Sequence, residues 1–494
     1  MASPIIPIYQ TAQIREFERL AEERFGISSE VLMQRAGKAA AECLFRQWPK
    51  ARKIAVVCGT GNNGGDGYVV ARLARERGLS VTVWQVGRLR KQKEAAQRAY
   101  DACQAAKVII QVSQEKINFG DAEVIVDAIS GLGLHDEPRP ETRAAILAID
   151  QANLPVLSID LPSGVDADTG NIWGLAVQAT ITITFIALKF GLLTGKGASL
   201  AGTVICHDLG LPSEVFPLVK PVAEKLQYPS LSSHLRPRMR DLYKKQAGHV
   251  LLIGGDLGYT GAIRLAAEGA LRTGAGLVSI ATRPEQAGLL NLTQPELMCH
   301  GIAKATELKP LLEKADVIVI GPGLGQSAWA QSLWGAALKT DLPMIVDADA
   351  LGLLAKHPIK RANWVLTPHS GEAARLLKDP AGNVQADRLK ALKAIEKKYS
   401  GFCVLKGAGT LISGEVLLPG LCPYGNPGMA SGGMGDLLSG VIAALIGQGL
   451  DLEIAAKLAV CVHAMAGDEA ATAGERGMIA SDLLPFIRRL VNVS

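Results

Sequence analysis

The stretch from Lys53 to Ala74, KIAVVCGTGNNGGDGYVVARLA, decides how the first half of the chain is built. It opens with an apolar run, Lys53-Ile-Ala-Val-Val-Cys58, the pattern of a strand buried on both faces. Glycines follow at 59, 61 and 64, and the residues after Asp66 read as a helix. Strand, glycine loop and helix in that order form the phosphate-binding start of a parallel α/β sheet, and Gly59-x-Gly61-x-x-Gly64 satisfies the dinucleotide-binding spacing. That pattern also asks for an acidic residue about 20 positions on, at the tip of the next strand. Here the next strand, Val81-Thr-Val-Trp-Gln-Val86, runs into Gly87-Arg88-Leu89-Arg90 and offers no carboxylate. The loop is instead rich in amides and ends in an acid, Asn62-Asn63-Gly64-Gly65-Asp66, which suits a polar ligand or a cation.

Working outward, short apolar runs recur at 53–58, 81–86, 107–111, 123–127, 155–160, 180–186 and 203–206, separated by helix-length segments. A helical lead-in from Thr11 to Gln47 precedes them. Strands alternating with helices predict a mostly parallel sheet covered on both faces, a Rossmann-like doubly wound α/β fold. From Pro212 to about Pro237 the apolar periodicity lapses and prolines gather, so the boundary is placed there, with domains at 1–220 and 228–494. After Gly248 the alternation restarts with His249-Val-Leu-Leu-Ile253, Leu277-Val-Ser-Ile-Ala281, Val317-Ile-Val-Ile320, Met344-Ile-Val346, Trp364-Val-Leu366 and Cys403-Val-Leu405. This is a second α/β domain, with Gly and Asp at its strand ends, where open sheets bind ligands.

Composition bounds the function. At 494 residues the chain exceeds what one core serves. A net charge of +5 spread over that length, with Lys and Arg scattered, gives no footprint for nucleic acid or an anionic membrane surface. The cysteines Cys43, Cys58, Cys103, Cys206, Cys299, Cys403, Cys422 and Cys461 include no CxxC pair, and several sit in apolar runs. They read as small buried hydrophobes of a reducing compartment. Met1-Ala-Ser-Pro-Ile-Ile-Pro has no basic segment and carries two prolines, so it is not read as a secretory signal. The longest apolar stretch, Leu437 to Leu450, is too short and too broken to span a bilayer. The expectation is a cytoplasmic enzyme without membrane contact, and for that class a symmetric homo-oligomer.

The densest chemical signal is GNPGMASGGMGDLLSG, residues 425–440. Gly432-Gly433-Met434-Gly435 precede Asp436 and an apolar helix, so backbone N–H groups converge at a helix N-terminus, which favours a phosphate or a developing anion. A carboxylate there can take a proton from an attacking hydroxyl.

This stretch resembles the Gly-Gly-x-Gly-Asp anion hole of ribokinase-like kinases. In order with it stand Gly254-Gly255 with Tyr259-Thr-Gly261-Ala262, then Gly321-Pro-Gly323-Leu-Gly325, Val346-Asp347-Ala-Asp349-Ala, Thr367-Pro-His369-Ser-Gly371-Glu372 and Leu405-Lys406-Gly407-Ala-Gly409-Thr410. Together they resemble the ADP-dependent NAD(P)H-hydrate dehydratase branch, which implies a C-terminal ribokinase-like α/β/α domain. The resemblance implies that Lys406, Gly407, Ala408, Gly409, Thr410 and Gly435 bind the adenylate of ADP, and that Ala262, Gly325, His369 and Asp436 contact the hydrated nicotinamide nucleotide. It further implies Mg²⁺ shielding the diphosphate and Asp436 activating the hydroxyl. Two departures are Asp256, where the family commonly has Ser, and Ser370, where Pro is usual.

With that partner the first loop reads differently. Asn62-Asn63-Gly64-Gly65-Asp66-Gly67, Val126-Asp127-Ala-Ile-Ser-Gly131-Leu-Gly133-Leu134 and Ser158-Ile-Asp160-Leu-Pro-Ser163-Gly164 resemble, in order, the signature of NAD(P)H-hydrate epimerases, preceded by Val31-Leu32-Met33-x-Arg35-Ala36-Gly37. Ser130 and Leu132 replace the family's common Phe and Thr. The resemblance carries K⁺ to Asn63, Asp127 and Ser163. It carries substrate binding to Asn62, Asn63, Gly64, Gly65 and Asp66, to Gly131, Leu132, Gly133, Leu134, His135, Asp136 and Glu137, and to Asp160. Oxygen ligands from three strand ends suit a hard monovalent cation. Asp160, before Leu-Pro-Ser-Gly, is the candidate acid/base.

As a whole the chain resembles the bifunctional NAD(P)H-hydrate repair enzymes, which implies that NADHX and NADPHX, the hydrated cofactors, are substrates. A kinase fused to a dehydrogenase would need the missing ribose carboxylate. A first domain that is only a scaffold would leave epimerisation at its uncatalysed rate after Asp160→Ala.

Overall fold

A computed structural model describes residues 5–87, 94–113, 117–133, 136–292, 294–414 and 417–492. The chain divides into two compact units, Pro7–Ala223 and a second that begins at Glu224.

In the first unit, seven parallel strands form one sheet: β1 (Lys53–Cys58), β2 (Ser80–Val86), β3 (Ile109–Ser113), β4 (Val124–Ala128), β5 (Val156–Ile159), β6 (Ile181–Phe185) and β7 (Thr203–His207). Their order is β3-β2-β1-β4-β5-β6-β7, so the chain reverses direction of winding between β1 and β4. That switch point leaves a crevice at the carboxyl ends of the strands. Helices α1 (Thr11–Phe25), α2 (Ser29–Gln47), α3 (Asn62–Glu76), α4 (Glu94–Ala105) and α5 (Pro140–Gln151) accompany the sheet. The lead-in is two helices because Gly26 takes φ +65° and ends α1, and Ser28 caps α2 by accepting from Val31 N. The run expected at 107–111 is displaced to Ile109–Ser113, since Lys107 adopts φ +56° and turns the chain first. At the switch point β1 passes so close to β4 that a Cβ on Gly59 would lie 2.0 Å from the carbonyl oxygen of Ile129.

The second unit repeats the order. Strands β8 (His249–Ile253), β9 (Leu277–Thr282), β10 (Met298–Gly301), β11 (Val317–Ile320), β12 (Met344–Val346), β13 (Trp364–Leu366) and β14 (Phe402–Leu405) run parallel as β10-β9-β8-β11-β12-β13-β14. Three strands lie outside the sequence expectation. β10 is one; the others, β15 (Thr410–Ile412) and β16 (Gly420–Cys422), extend the sheet antiparallel beyond β14. They are three or four residues long, too short to show a period. The helices used below are α6 (Thr260–Thr273), α7 (Ala348–Lys356), α8 (Ser370–Leu377), α9 (Arg388–Tyr399), α10 (Met434–Gly447) and α11 (Leu452–Ala470). After its first turn α10 is buried on every side, with Leu437, Leu438, Val441, Ile442 and Leu445 packed into the core formed with α6 and α11.

Candidate active sites

Both clusters of chemistry-bearing residues stand at the carboxyl ends of their sheets. In the first unit, Asp160 follows β5 and takes φ +69°, a left-handed conformation that turns its side chain back over the strand ends. It is 8 % exposed, and its Oδ1 accepts from Lys189 Nζ at 2.6 Å, from Thr184 Oγ1 at 3.3 Å and from Phe185 N at 3.4 Å. Lys189 is 1 % exposed and donates also to Thr184 Oγ1 at 2.9 Å and Phe185 O at 2.7 Å. All three ammonium protons are thereby engaged. The backbone of Lys189 is fixed by parallel pairing of Ile8 and Tyr9 with Leu188 and Lys189.

Gly131 is where the loops meet: a Cβ there would lie 3.3 Å from Asp160 Oδ2 and 3.5 Å from Asn63 Cβ and Cγ. Asn63 is buried near the start of α3, and neither its Oδ1 nor its Nδ2 has a hydrogen-bond partner; Ser130 Oγ is likewise buried and unpartnered. Next to them Asp127, at the end of β4, is fully buried. It accepts from Ser163 Oγ at 2.6 Å, Ser163 N at 2.9 Å, Ser158 Oγ at 2.9 Å and Ile129 N at 3.3 Å. Burial pushes the Asp127 carboxyl up, and the Ser163 and Ser158 bonds oppose it. Asp66, farther along α3, is pushed well above the usual carboxylate range, first by burial and then by the Asp160 carboxylate. Gly64 and Gly65 are buried in the first turn of α3, and Asn62 is exposed. Leu132 packs against the core, while Gly133, Asp136 and Glu137 are exposed. Leu134 and His135 lie outside the described residues.

The second site is assembled from more distant pieces. The two loops at its switch point are sewn together by Gly255 N donating to Pro322 O at 3.0 Å and Asp256 N to Gly323 O at 2.6 Å, and a Cβ on Gly323 would lie 3.4 Å from that of Ala262. Gly325 N donates to Asp349 Oδ2 at 2.8 Å. Asp256 takes Arg283 Nε at 2.7 Å, and the Arg283 guanidinium lies 4.2 Å above the Trp329 ring.

Asp347 follows β12, is 1 % exposed, and accepts from Lys406 Nζ at 3.1 Å and Ser439 Oγ at 2.8 Å. Glu372 Oε2 stands 3.9 Å from the same ammonium. Burial would lower Lys406, but the Asp347 and Glu372 carboxylates outweigh it and hold the ammonium above its usual value. A Cβ on Gly435 would lie 2.9 Å from Lys406 Nζ, so α10 begins directly against this pair. Asp436, half-buried in the first turn of α10, is pushed up to about 6, first by burial and then by Asp347; Lys406 opposes the shift. A proton acceptor near that value matches general-base work at neutral pH.

His369 caps α8: its Nδ1 accepts from Gly371 N at 3.0 Å and Glu372 N at 3.3 Å, while Glu372 Oε2 accepts from His369 N at 2.8 Å. Burial and then the Lys406 charge hold its pKa below the ordinary value, keeping the ring neutral so that it can accept. Thr410 Oγ1 closes the Lys406–Thr410 loop by donating to Gly407 O at 3.0 Å.

Sequence reasoning missed several participants. Lys189 carries a signal, a lone lysine in the apolar run Phe185-Ile-Ala-Leu-Lys189-Phe-Gly-Leu-Leu193. Ser439 and His463 carry none, being ordinary residues of α10 and α11. His463 is buried near Met434, is pulled down to about 4 by burial, and has an unpartnered Nε2; Ser431 Oγ is also unpartnered. Cys206, expected to be buried, is exposed because β7 is the sheet's edge strand. All eight cysteines are free, and among the described residues no helix is long and apolar enough to cross a membrane.

Comparison with known proteins agrees with this geometry. The family described as YjeF-related protein N-terminus matches residues 29–191, and the NAD(P)H-hydrate dehydratase family matches residues 250–489. The chain is 51 % identical to the bifunctional NAD(P)H-hydrate repair enzyme Nnr of Coxiella burnetii, covering 98 % of this chain and 99 % of that one. It is 43 % identical to the protein of the same name from Escherichia coli, with coverage of 98 % and 94 %. Among solved structures, a ribokinase-like superfamily protein of Enterococcus faecalis is 31 % identical, with TM-score 0.51, over 54 % of this chain and 94 % of that one. The chain belongs to the bifunctional NAD(P)H-hydrate repair enzymes, with an N-terminal epimerase domain and a C-terminal dehydratase domain of ribokinase-like fold.

Proposed function

We propose that residues 228–494 dehydrate the S hydrate of NADH and NADPH at the expense of ADP, with Asp436 as base, and that residues 1–220 interconvert the R and S hydrates, with Asp160 as acid/base. Hydroxide is a poor leaving group. Asp436 takes the proton of the substrate hydroxyl as its oxygen bonds to the β-phosphorus of ADP; the bridging P–O bond breaks and AMP departs. Phosphate then leaves the ring carbon while the neighbouring carbon loses a proton, which restores the double bond of the dihydropyridine. The N–H groups at the start of α10 stabilise the transferring phosphoryl, Lys406 to Thr410 and Gly435 hold the adenylate, and Ala262, Gly325 and His369 orient the hydrate. Mg²⁺ would shield the diphosphate; the donor set fits, since hard carboxylate oxygens, Asp349 and Glu372 among them, exceed the one ammonium present. The observation that carries the reading is Asp436, raised to about 6 at a helix N-terminus beside Lys406.

In the first domain Asn63, Asp127 and Ser163 would hold K⁺, whose charge would neutralise the buried Asp127 and order the substrate loops. The fit rests on the unpartnered amide of Asn63 and hydroxyl of Ser130 beside that carboxylate. The 62–66 and 131–137 loops would flank the nicotinamide hydrate over Asp160. The free cysteines are in keeping with a cytoplasmic site of action, and closed symmetry is the common state of such enzymes, testable by sedimentation.

The test supplies a mixture of R and S NADH hydrates with ADP, Mg²⁺ and K⁺ and follows the return of NADH absorbance. Wild type recovers both epimers, Asp160→Ala only the S fraction plus slow spontaneous conversion, and Asp436→Ala neither. Failure of wild type with both ADP and ATP would overturn the reading.

A further inference from the structure

The Lys406–Thr410 loop is held from beneath by a residue without a part in the reaction described above. Arg388 opens α9 and is 3 % exposed, so its guanidinium lies inside the protein. It donates to the carbonyl oxygen of Ala408 and, at 3.0 Å, to that of Leu405. Among the described residues no carboxylate pairs with it. Burial alone pulls its pKa down to about 10, and it therefore stays charged at neutral pH. A Cβ on Gly407 would lie 3.0 Å from both terminal nitrogens, and Gly407 takes φ +147°, so the chain crosses directly over the guanidinium fork.

Two physical consequences follow. A buried cation satisfied only by neutral carbonyls keeps its full charge, which is costly unless an anion completes it. The carbonyls of Leu405 and Ala408, meanwhile, are drawn inward, so their lone pairs do not repel an anion on the outer side of the loop. We propose that Arg388 is a positioning residue for the nucleoside diphosphate: it turns the loop carbonyls away from the phosphates and supplies the buried positive charge that the bound nucleotide completes. No atom of Arg388 touches the nucleotide. The inference rests on the reading that this loop takes ADP.

The experiment titrates ADP against full-length protein in two ways, as the KM for ADP in dehydration of the S hydrate and as ADP binding by calorimetry without hydrate. Arg388→Met is expected to weaken both on the order of tenfold, the loss of a charge-assisted contact, and to leave kcat and the KM for hydrate within about twofold. Arg388→Lys recovers part of the loss, since it keeps the charge but not the two-pronged fork. Epimerisation by the same chain stays at the wild-type rate. ADP affinity unchanged in Arg388→Met overturns the proposal, as does an equal rise in both KM values, which marks general damage to the fold. If Arg388→Met does not fold, Arg388→Lys and Arg388→Gln decide: a selective loss of ADP affinity supports the proposal, and unchanged affinity in both overturns it. Wild type that binds no ADP overturns the nucleotide reading and the proposal together. Wild-type binding that Arg388→Met leaves intact overturns only the proposal.

Discussion

The two halves of the molecule share a strand order and place an aspartate after the same strand, the fifth in each sheet: Asp160 after β5 and Asp347 after β12. Each aspartate is paired with one lysine, Lys189 buried and Lys406 half-buried, but the lysines arrive from different places. Lys189 follows the sixth strand of its sheet and gives all three protons to Asp160, Thr184 and Phe185. Lys406 follows the seventh and is shared between Asp347 and Glu372, with Asp436 close enough to feel its charge. In both sites further carboxylates are pushed up by burial, Asp66 and Asp127 in the first domain and Glu372 and Asp436 in the second. At the second site the ammonium sits against Asp347 and Glu372, and Asp436, pushed up to about 6, is the group able to exchange a proton near neutral pH.

Removing the lysines is the strongest way to break this comparison. Lys189→Met strands a buried Asp160 charge and is expected to abolish epimerisation and destabilise the first domain by about 3–5 kcal/mol. Hydrogen exchange, and dehydration of pure S hydrate by the same protein, localise the effect. A Lys189→Met protein that still converts the R hydrate at the wild-type rate would deny the pair any importance.

The pH profile sharpens the comparison at the second site. Asp436 must be ionised to accept a proton, so kcat/KM for dehydration is expected to climb as pH rises through about 6 and to fall about tenfold per pH unit below it. Asp436→Glu should move that limb, whereas a profile flat from pH 5 to 7 would remove Asp436 as the base. The smallest effect belongs to Ser439→Ala, which takes one hydrogen bond from Asp347. About 1–2 kcal/mol of stability should be lost in denaturant melts, with the KM for hydrate unchanged.

Some of this architecture is visible in one dimension because its signals are local. A buried parallel strand is a run of Val, Ile and Leu, as in Val317-Ile-Val-Ile320, and its loop residues follow immediately in sequence. Gly432 to Asp436 likewise form a local signal, a glycine cluster directly before a helix. The short strands Met298–Gly301, Thr410–Ile412 and Gly420–Cys422 escaped because their pairing, not their composition, makes them strands. His369 was legible only as a candidate site residue, and its work as the cap of α8 emerges only when its Nδ1 meets Gly371 N and Glu372 N.

By itself, then, the sequence determined the doubly wound class of both halves, the loops that line their switch points, and the aspartates that stand there. The tertiary structure alone decided which carboxylate each lysine pairs with, which carboxylates burial pushes up, and that Arg388 lies under the Lys406–Thr410 loop. The reason is that a side chain's charge state depends on burial and on partners brought from far along the chain. Lys406 and Asp347 stand 59 residues apart, Lys189 and Asp160 stand 29 apart, and only folding carries each pair out of water together.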